Sequence, residues 1–112
     1  LDGCAIAHHM EENFADILRE AQIPTVLLNV RGEAPHLSIV PDDRDGAAQL
    51  TQHLLDLGHR DVAFFQLPLQ FYHWSMEERL AGYKETLSKA GFAENAQLIE
   101  CQADELARAL ST

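Results

Sequence analysis

Apolar residues along this chain occur either in short, dense runs or at a spacing of three to four residues. Dense runs without apolar–polar alternation are typical of strands buried on both faces, and they lie at 1–7, 25–29, 61–65 and 97–101, with a shorter run at 38–40. Helical spacing fills the stretches between them, at about 11–21, 46–57, 75–90 and 104–110. This order predicts an α/β fold: a parallel sheet with helices on both faces.

Local signals sharpen the predicted helix ends. Gly58 follows the apolar stripe Ala47, Leu50, Leu54 and Leu57, so it is expected to end that helix in a left-handed C-cap, and Gly91 ends the next helix. Asp43 or Asp45 is expected to cap the start of the first of these helices. The sequence Ser75-Met-Glu-Glu78 matches a capping box at the start of the second. The three residues Gly58-His59-Arg60 are therefore expected to form a tight connection from this helix to the next strand.

Composition places the chain among ordinary globular domains. It has 112 residues, 46% of them hydrophobic and 23% charged, and a formal net charge of −10. Such an excess of acid repels phosphate backbones, so this segment is not expected to grip DNA or RNA itself. No apolar run reaches the length of a membrane span, and none resembles a secretory leader. The two cysteines, Cys4 and Cys101, lie outside any CxxC motif and are expected to be reduced and buried.

Candidate binding residues cluster where strands of such a sheet end. Ligands of parallel sheets bind at the carboxyl ends of the strands, and the long segment 66–75 is one such place. It holds four consecutive rings that can pack on sugars or planar bases, followed by the forked donors of Arg79; the rings are Phe71, Tyr72, His73 and Trp74. Alternatively, the rings cover a sheet edge and Arg79 forms a surface pair with Glu78 or a neighbouring acid.

No catalytic or metal-binding pattern stands out. His8, His9, Glu11 and Glu12 invite a metal interpretation, but adjacent histidines at a strand end point to opposite faces and no HExxH or HxxxH helix is present. No phosphate loop, GxSxG motif or supported cysteine–histidine pair occurs either. We therefore expect neither an enzyme, nor a cofactor, nor a metal site.

Five motifs together resemble the effector-binding domain of LacI/GalR-type bacterial transcription regulators. They are LDG at 1–3, IPTVLLN at 23–29, VPDDRDGA at 40–47, HLLDLGHRDVAFF at 53–65 and SMEERLAGYKETLSKAG at 75–91. They run in the family's order over nearly the whole chain. Domains of this kind are similar in fold to periplasmic sugar-binding proteins, in which two α/β lobes close on a small molecule.

The resemblance implies a division of the chain and a set of ligand contacts. Residues 1–40 would belong to the first lobe and residues 41–112 to the second, as a fragment of the two-lobed domain. Asn29 matches a polar position that reaches the effector, and Arg79 matches an arginine that holds its polar groups. Ala7 stands where some relatives carry a polar side chain, so that contact would be lost or taken by His8. The 71–74 loop lies where relatives vary their specificity.

The function implied is a cytoplasmic, dimeric regulator that senses a small polar effector, expected to be a sugar. Effector binding would control DNA binding through a helix-turn-helix outside this chain. The alternative is a periplasmic solute-binding protein of a sugar transporter, which shares the fold but carries an export signal upstream. The fragment would expose apolar faces and sheet edges, so we expect either association with a second copy or that it is an ordered part of a longer polypeptide. The sequence does not identify the effector.

Overall fold

The computed structural model describes residues 1–7, 14–29, 37–68 and 73–111. These residues form five strands and four helices, in the order β1 Cys4–Ile6, α1 Phe14–Glu20, β2 Thr25–Leu28, β3 Leu37–Ile39, α2 Asp43–Asp56, β4 Ala63–Gln66, α3 Trp74–Lys89, β5 Gln97–Glu100 and α4 Ala103–Leu110. A short 3-10 turn, Ala93–Asn95, precedes β5. The chain divides into two compact units, Leu1–Pro41 and Asp42–Thr112.

The first unit is built on a parallel three-stranded sheet in the order β1-β2-β3. Its central strand is β2, in which Leu27 pairs with Ile6 on one side and Ser38 on the other. Leu27 is 3% exposed and belongs to the buried core. The helix α1 packs against β2.

The second unit pairs β4 with β5 in parallel, with Phe64 opposite Leu98. Its core consists of Leu55 from α2 with Tyr83 and Leu87 from α3, and partly buried apolar side chains surround them. Both sheets are parallel and the strands alternate with helices, so the predicted α/β class is confirmed. The run at 61–65 was expected to be a fully buried strand, but β4 is only half buried and Phe65 is 46% exposed.

The two main helices of the second unit end in the same way. At Gly58 the backbone φ is 98°, the His59 N–H donates to the Leu54 carbonyl, and the Gly58 N–H donates to the Leu55 carbonyl. This pair of bonds is the Schellman arrangement, which glycine favours because it adopts positive φ without a steric penalty. Gly91, with a φ of 86°, ends α3 through equivalent bonds. The predicted glycine caps are therefore confirmed.

The buried face of α2 differs from the predicted apolar stripe. Thr51 and Leu55 are buried, whereas Leu50 and Leu57 are 70% and 63% exposed. The reason is the contact with α3, which faces the row that contains Ala47, Thr51 and Leu55. The Leu50 side of α2 is turned away from that contact.

Both cysteines are free and half buried, rather than fully buried as expected. Within the described ranges, no helix is long and apolar enough to cross a membrane.

Candidate functional site

Asn29 follows the last residue of β2 and adopts an unusual backbone conformation. Its φ is 56°, in the left-handed region that asparagine tolerates better than most non-glycine residues. Its backbone N–H donates to the carbonyl oxygen of Ile39 at 2.8 Å, which fixes it beside the end of β3. The side chain is exposed. Its amide is thus presented at the carboxyl edge of the first unit's parallel sheet, where ligands of such sheets bind.

The helix α3 begins two residues earlier than the capping-box motif predicted, because His73 and not Ser75 is its N-cap. The Nδ1 atom of His73 accepts a hydrogen bond from the Ser75 backbone N–H at 3.2 Å and lies 2.7 Å from the Ser75 hydroxyl. The His73 ring also lies beside that of Trp74, with 5.3 Å between the ring centroids. These contacts fix one ring nitrogen of His73 and orient the half-buried Trp74.

Arg79 lies in the second turn of α3 and forms an ion pair with Asp43, the first residue of α2. Its Nε atom donates to Oδ1 of Asp43 at 2.9 Å. The Asp43 side chain is 8% exposed, whereas that of Arg79 is 55% exposed. The other Asp43 oxygen, Oδ2, is buried and makes no hydrogen bond within the described residues. Asp43 therefore anchors the guanidinium from the protein side while leaving it open to solvent.

Two further contacts hold α2 and α3 together next to this ion pair. The guanidinium of Arg44 pairs with Glu78 at 3.1 Å and with Glu85 at 2.7 Å. At Gly82, a Cβ atom would overlap the backbone carbonyl group of Arg44, so the two helix backbones touch there. Glycine at this position lets the helices approach closely enough for Arg79 to reach Asp43.

Tyr83 and Arg60, which also belong to the family-like motifs, hold the second unit together. Tyr83 is 2% exposed, and its hydroxyl donates to the Val62 carbonyl and accepts from the Gln97 N–H at 2.9 Å. It thereby joins the starts of β4 and β5. Arg60 donates to the carbonyls of Leu55 and His59, and its guanidinium lies 4.6 Å from the centroid of the Phe92 ring. It fixes the return from α2 to β4.

The sequence-predicted contacts fall into three groups. His73 and Trp74 are in contact at the start of α3, Arg79 lies in the second turn of the same helix, and Asn29 lies in the first unit. Phe71, Tyr72 and His8 lie outside the described residues. The predicted surface pair of Arg79 involves Asp43 and not Glu78. Sequence reasoning treated Asp43 only as a possible cap, a role that belongs to Asp42, whose Oδ1 accepts from the Asp45 N–H at 3.1 Å.

A shallow concavity of about 240 Å³ lies between α2 and α3, and its lining contains none of the predicted contacts; it is formed by Ala48, Gln49, Gln52, Thr86 and Lys89. Among the described side chains, no three His, Cys, Asp or Glu residues converge to hold a metal ion. His8, His9, Glu11 and Glu12 fall outside that description.

Comparison with known protein families identifies the family of this chain. Residues 1–111 match the model described as periplasmic binding proteins and sugar binding domain of LacI family. The chain belongs to this family. The match covers both compact units and extends from β1 to the end of α4.

Individual family members are similar over most of the chain. The HTH-type transcriptional repressor PurR of Vibrio campbellii is 30% identical over 98 residues, which are 85% of this chain and 29% of the repressor. A LacI family transcriptional regulator from Enterococcus faecium with bound ribose is 22% identical, with a TM-score of 0.77 over 100% of this chain and 45% of that one. The Cra transcriptional dual regulator of Pseudomonas putida, in complex with fructose 1-phosphate, is 21% identical, with a TM-score of 0.71 over 98% and 44%.

These relatives are much longer than the chain. It spans less than half the length of each of the three, and both structural matches show that it has the fold of the corresponding part of a regulator.

Proposed function

We propose that this chain is part of the effector-sensing domain of a LacI-type transcription regulator and that its effector is a sugar. The observation that carries this proposal is the family match over residues 1–111. Similarity to a transcriptional repressor supports the regulator over other members of the family. Two structural neighbours hold ribose and fructose 1-phosphate, which supports a sugar as the effector class.

In this proposal, residues 1–40 belong to the first lobe and residues 41–112 to the second. Asn29 reaches the effector from the first lobe. Arg79 holds its polar groups from the second, with His73 and Trp74 beside it at the start of α3. Phe71, Tyr72 and His8 are further proposed effector contacts, with His8 in place of the contact that Ala7 cannot make. The role is recognition without catalysis, so no cofactor is required.

The geometry at Arg79 supports a ligand role. Its guanidinium is anchored through Nε and is 55% exposed, so the forked terminal N–H groups remain available for ligand oxygens. Trp74, the first residue of the same helix, offers an apolar ring face, and sugar C–H faces pack on such rings.

The proposed whole protein is a cytoplasmic homodimer that reads DNA through a helix-turn-helix elsewhere in the polypeptide. The acidic balance of this chain, −10 overall, fits a sensing part that does not touch DNA itself. Effector and DNA binding would then be coupled by about 1–3 kcal/mol, or roughly 5–150-fold in affinity.

A direct experiment uses the full native polypeptide. Sequencing its N-terminal region identifies either a helix-turn-helix or an export signal. A DNA site is then selected from a random pool, and its affinity is measured by fluorescence anisotropy with and without a panel of sugars. We expect at least one sugar to change DNA affinity by about 5-fold or more. Sugar binding without any DNA binding would contradict the regulator.

The second candidate is a periplasmic solute-binding protein, which the family description also includes. It shares the fold and the candidate sugar contacts, but it has no DNA-linked response. An export signal in the full polypeptide, together with sugar binding that no DNA alters, would favour this candidate.

A further inference from the structure

At the starts of α2 and α3, a side chain of the protein already accepts a hydrogen bond from a backbone N–H group of the first turn. Anions bind readily at helix N-termini, where backbone N–H groups are unsatisfied. At α2, the carboxylate of Asp42 accepts from the Asp45 N–H at 3.1 Å. At α3, Nδ1 of His73 accepts from the Ser75 N–H at 3.2 Å. A phosphate group arriving at either helix would compete with a side chain that is already bound there.

The charge of Arg79 is also balanced within the protein. The carboxylate of Asp43 lies 2.9 Å from its Nε and is 92% buried, the complement of the 8% exposure of that side chain. A buried carboxylate is stable only beside a cation or strong donors, so Asp43 and Arg79 act as a neutral pair. The terminal N–H groups of Arg79 still donate hydrogen bonds, but the pair presents no net positive charge to a ligand.

The other positively charged side chains near Arg79 either form ion pairs of their own or lie further along α3. Arg44 is shared between Glu78 and Glu85. Lys84 and Lys89 lie about 7 Å and 15 Å further along α3 than Arg79, at 1.5 Å per residue. Residues 42–45 and 73–80, which form the starts of the two helices, contain five carboxylates and two arginines. A phosphate dianion would meet an excess of negative charge there.

We propose that Asp43 makes this site selective for an uncharged polyhydroxy compound over its phosphate ester. Asp43 is a positioning residue: it holds Arg79 by Nε, aims the terminal N–H groups at sugar hydroxyl oxygens and cancels the charge that would attract a phosphate. This inference rests on the proposed function, because it takes Arg79 as an effector contact. It separates two effector types that structural neighbours hold, ribose and fructose 1-phosphate.

The test compares matched pairs of sugars on the full native polypeptide. Isothermal titration calorimetry measures the affinity for ribose and ribose 5-phosphate, and for fructose and fructose 1-phosphate. We expect the unphosphorylated member of any pair that binds to bind at least about 10-fold more tightly. Tighter binding of the phosphate ester would overturn this inference and leave the proposed function intact. Failure of every sugar to bind would reject both.

The variant Asp43→Asn isolates the charge of this carboxylate. The amide oxygen still accepts from Nε of Arg79, so the guanidinium keeps its anchor while the negative charge is lost. We expect the preference for the unphosphorylated sugar to fall by about 10-fold or more. Asp45→Asn is the matched control, because it removes the same charge two residues away at a carboxylate bonded to Gln49, and it should change the preference by less than about 3-fold. Equal effects of the two variants would contradict a specific role for Asp43.

Discussion

A Cβ atom on Gly82 would overlap the backbone carbonyl oxygen of Arg44 and would also come within 3.2 Å of the Ala47 Cβ. The backbones of α2 and α3 are therefore in contact at this point, and the neighbour is main chain that cannot rotate away. The contact explains why the RLAGY segment carries glycine in the middle of a helix, where glycine is otherwise unfavourable by about 1 kcal/mol relative to alanine.

The first prediction follows from this contact. Gly82→Ala should lower the free energy of unfolding by about 1–3 kcal/mol, because the added methyl group forces the helices apart. Urea unfolding measures the change. Gly46→Ala is the matched control: Gly46 lies within α2 with no atom within 4 Å of an added Cβ, so this variant should be neutral or stabilising by up to about 1 kcal/mol. Equal destabilisation by both variants would contradict the close approach at Gly82.

The second prediction concerns the hydroxyl group of Tyr83. Tyr83→Phe keeps the ring beside Phe64 but removes the bonds to the Val62 carbonyl and the Gln97 N–H. Two partly buried backbone groups then lose a partner, so we expect a loss of about 1–2 kcal/mol in unfolding free energy. Tyr83→Leu removes the ring as well and should cost more. Amide hydrogen exchange of Gln97 should speed up in Tyr83→Phe, and unchanged exchange would argue against the bridge.

The third prediction separates backbone strain from ligand contact at Asn29. Asn29→Gly suits the φ of 56° and should change stability little, whereas Asn29→Ala should destabilise the first unit by about 1 kcal/mol. If the amide contacts a sugar, both variants should weaken sugar binding by about 2–10-fold, the value of one neutral hydrogen bond. Calorimetric titration on the full polypeptide measures this. Native affinity in Asn29→Gly would restrict Asn29 to a structural role.

The fourth prediction concerns Arg79 itself. Arg79→Ala should reduce sugar affinity by about 10-fold or more, and Arg79→Lys should not restore it, because lysine lacks the fork and the Nε donor. Arg79→Ala also leaves the buried Asp43 carboxylate without its partner, and it should lower the free energy of unfolding by about 1–3 kcal/mol. Arg44→Ala is the control, since it also removes an inter-helix ion pair but has no predicted ligand contact. Native sugar affinity in Arg79→Ala would exclude it as an effector contact.

The fifth prediction addresses Trp74. Trp74→Ala should weaken sugar binding by about 1 kcal/mol, or roughly 5-fold, if the indole packs on the sugar ring. Trp74→Phe keeps an aromatic face and should retain part of the affinity. Quenching or a blue shift of tryptophan fluorescence on sugar addition, present in the native polypeptide and lost in Trp74→Phe, offers an independent measurement. An unchanged affinity in Trp74→Ala would leave the ring as a cover for the start of α3.

Features determined by neighbouring residues were predictable from sequence. Gly58 and Gly91 end their helices as expected, because a left-handed cap depends on a glycine at one position in the chain. The order of strands and helices could also be predicted, because apolar spacing within each segment distinguishes a strand from a helix. The start of α3 was less predictable, since the imidazole of His73 caps it where Ser75 was expected to do so.

Features that depend on packing between distant segments were not predictable. The face that α2 buries is set by the contact at Gly82, so Leu50 and Leu57 are exposed although they continue an apolar stripe. Asp43 and Arg79 are 36 residues apart in sequence and meet only because the two helices touch. Nothing in the spacing of either motif identifies which acid of the run 42–45 forms the ion pair.

The ion pair of Asp43 with Arg79 lies close in sequence to the boundary between the two compact units. Asp43 lies two residues after Pro41, the last residue of the first compact unit. The guanidinium of Arg79 is thus tethered directly beside the joint at which the polypeptide passes from one unit to the next. A displacement of this guanidinium would therefore pull on the first residue of α2 through Asp43, while the adjacent Arg44–Glu78 ion pair holds the same end of the helix.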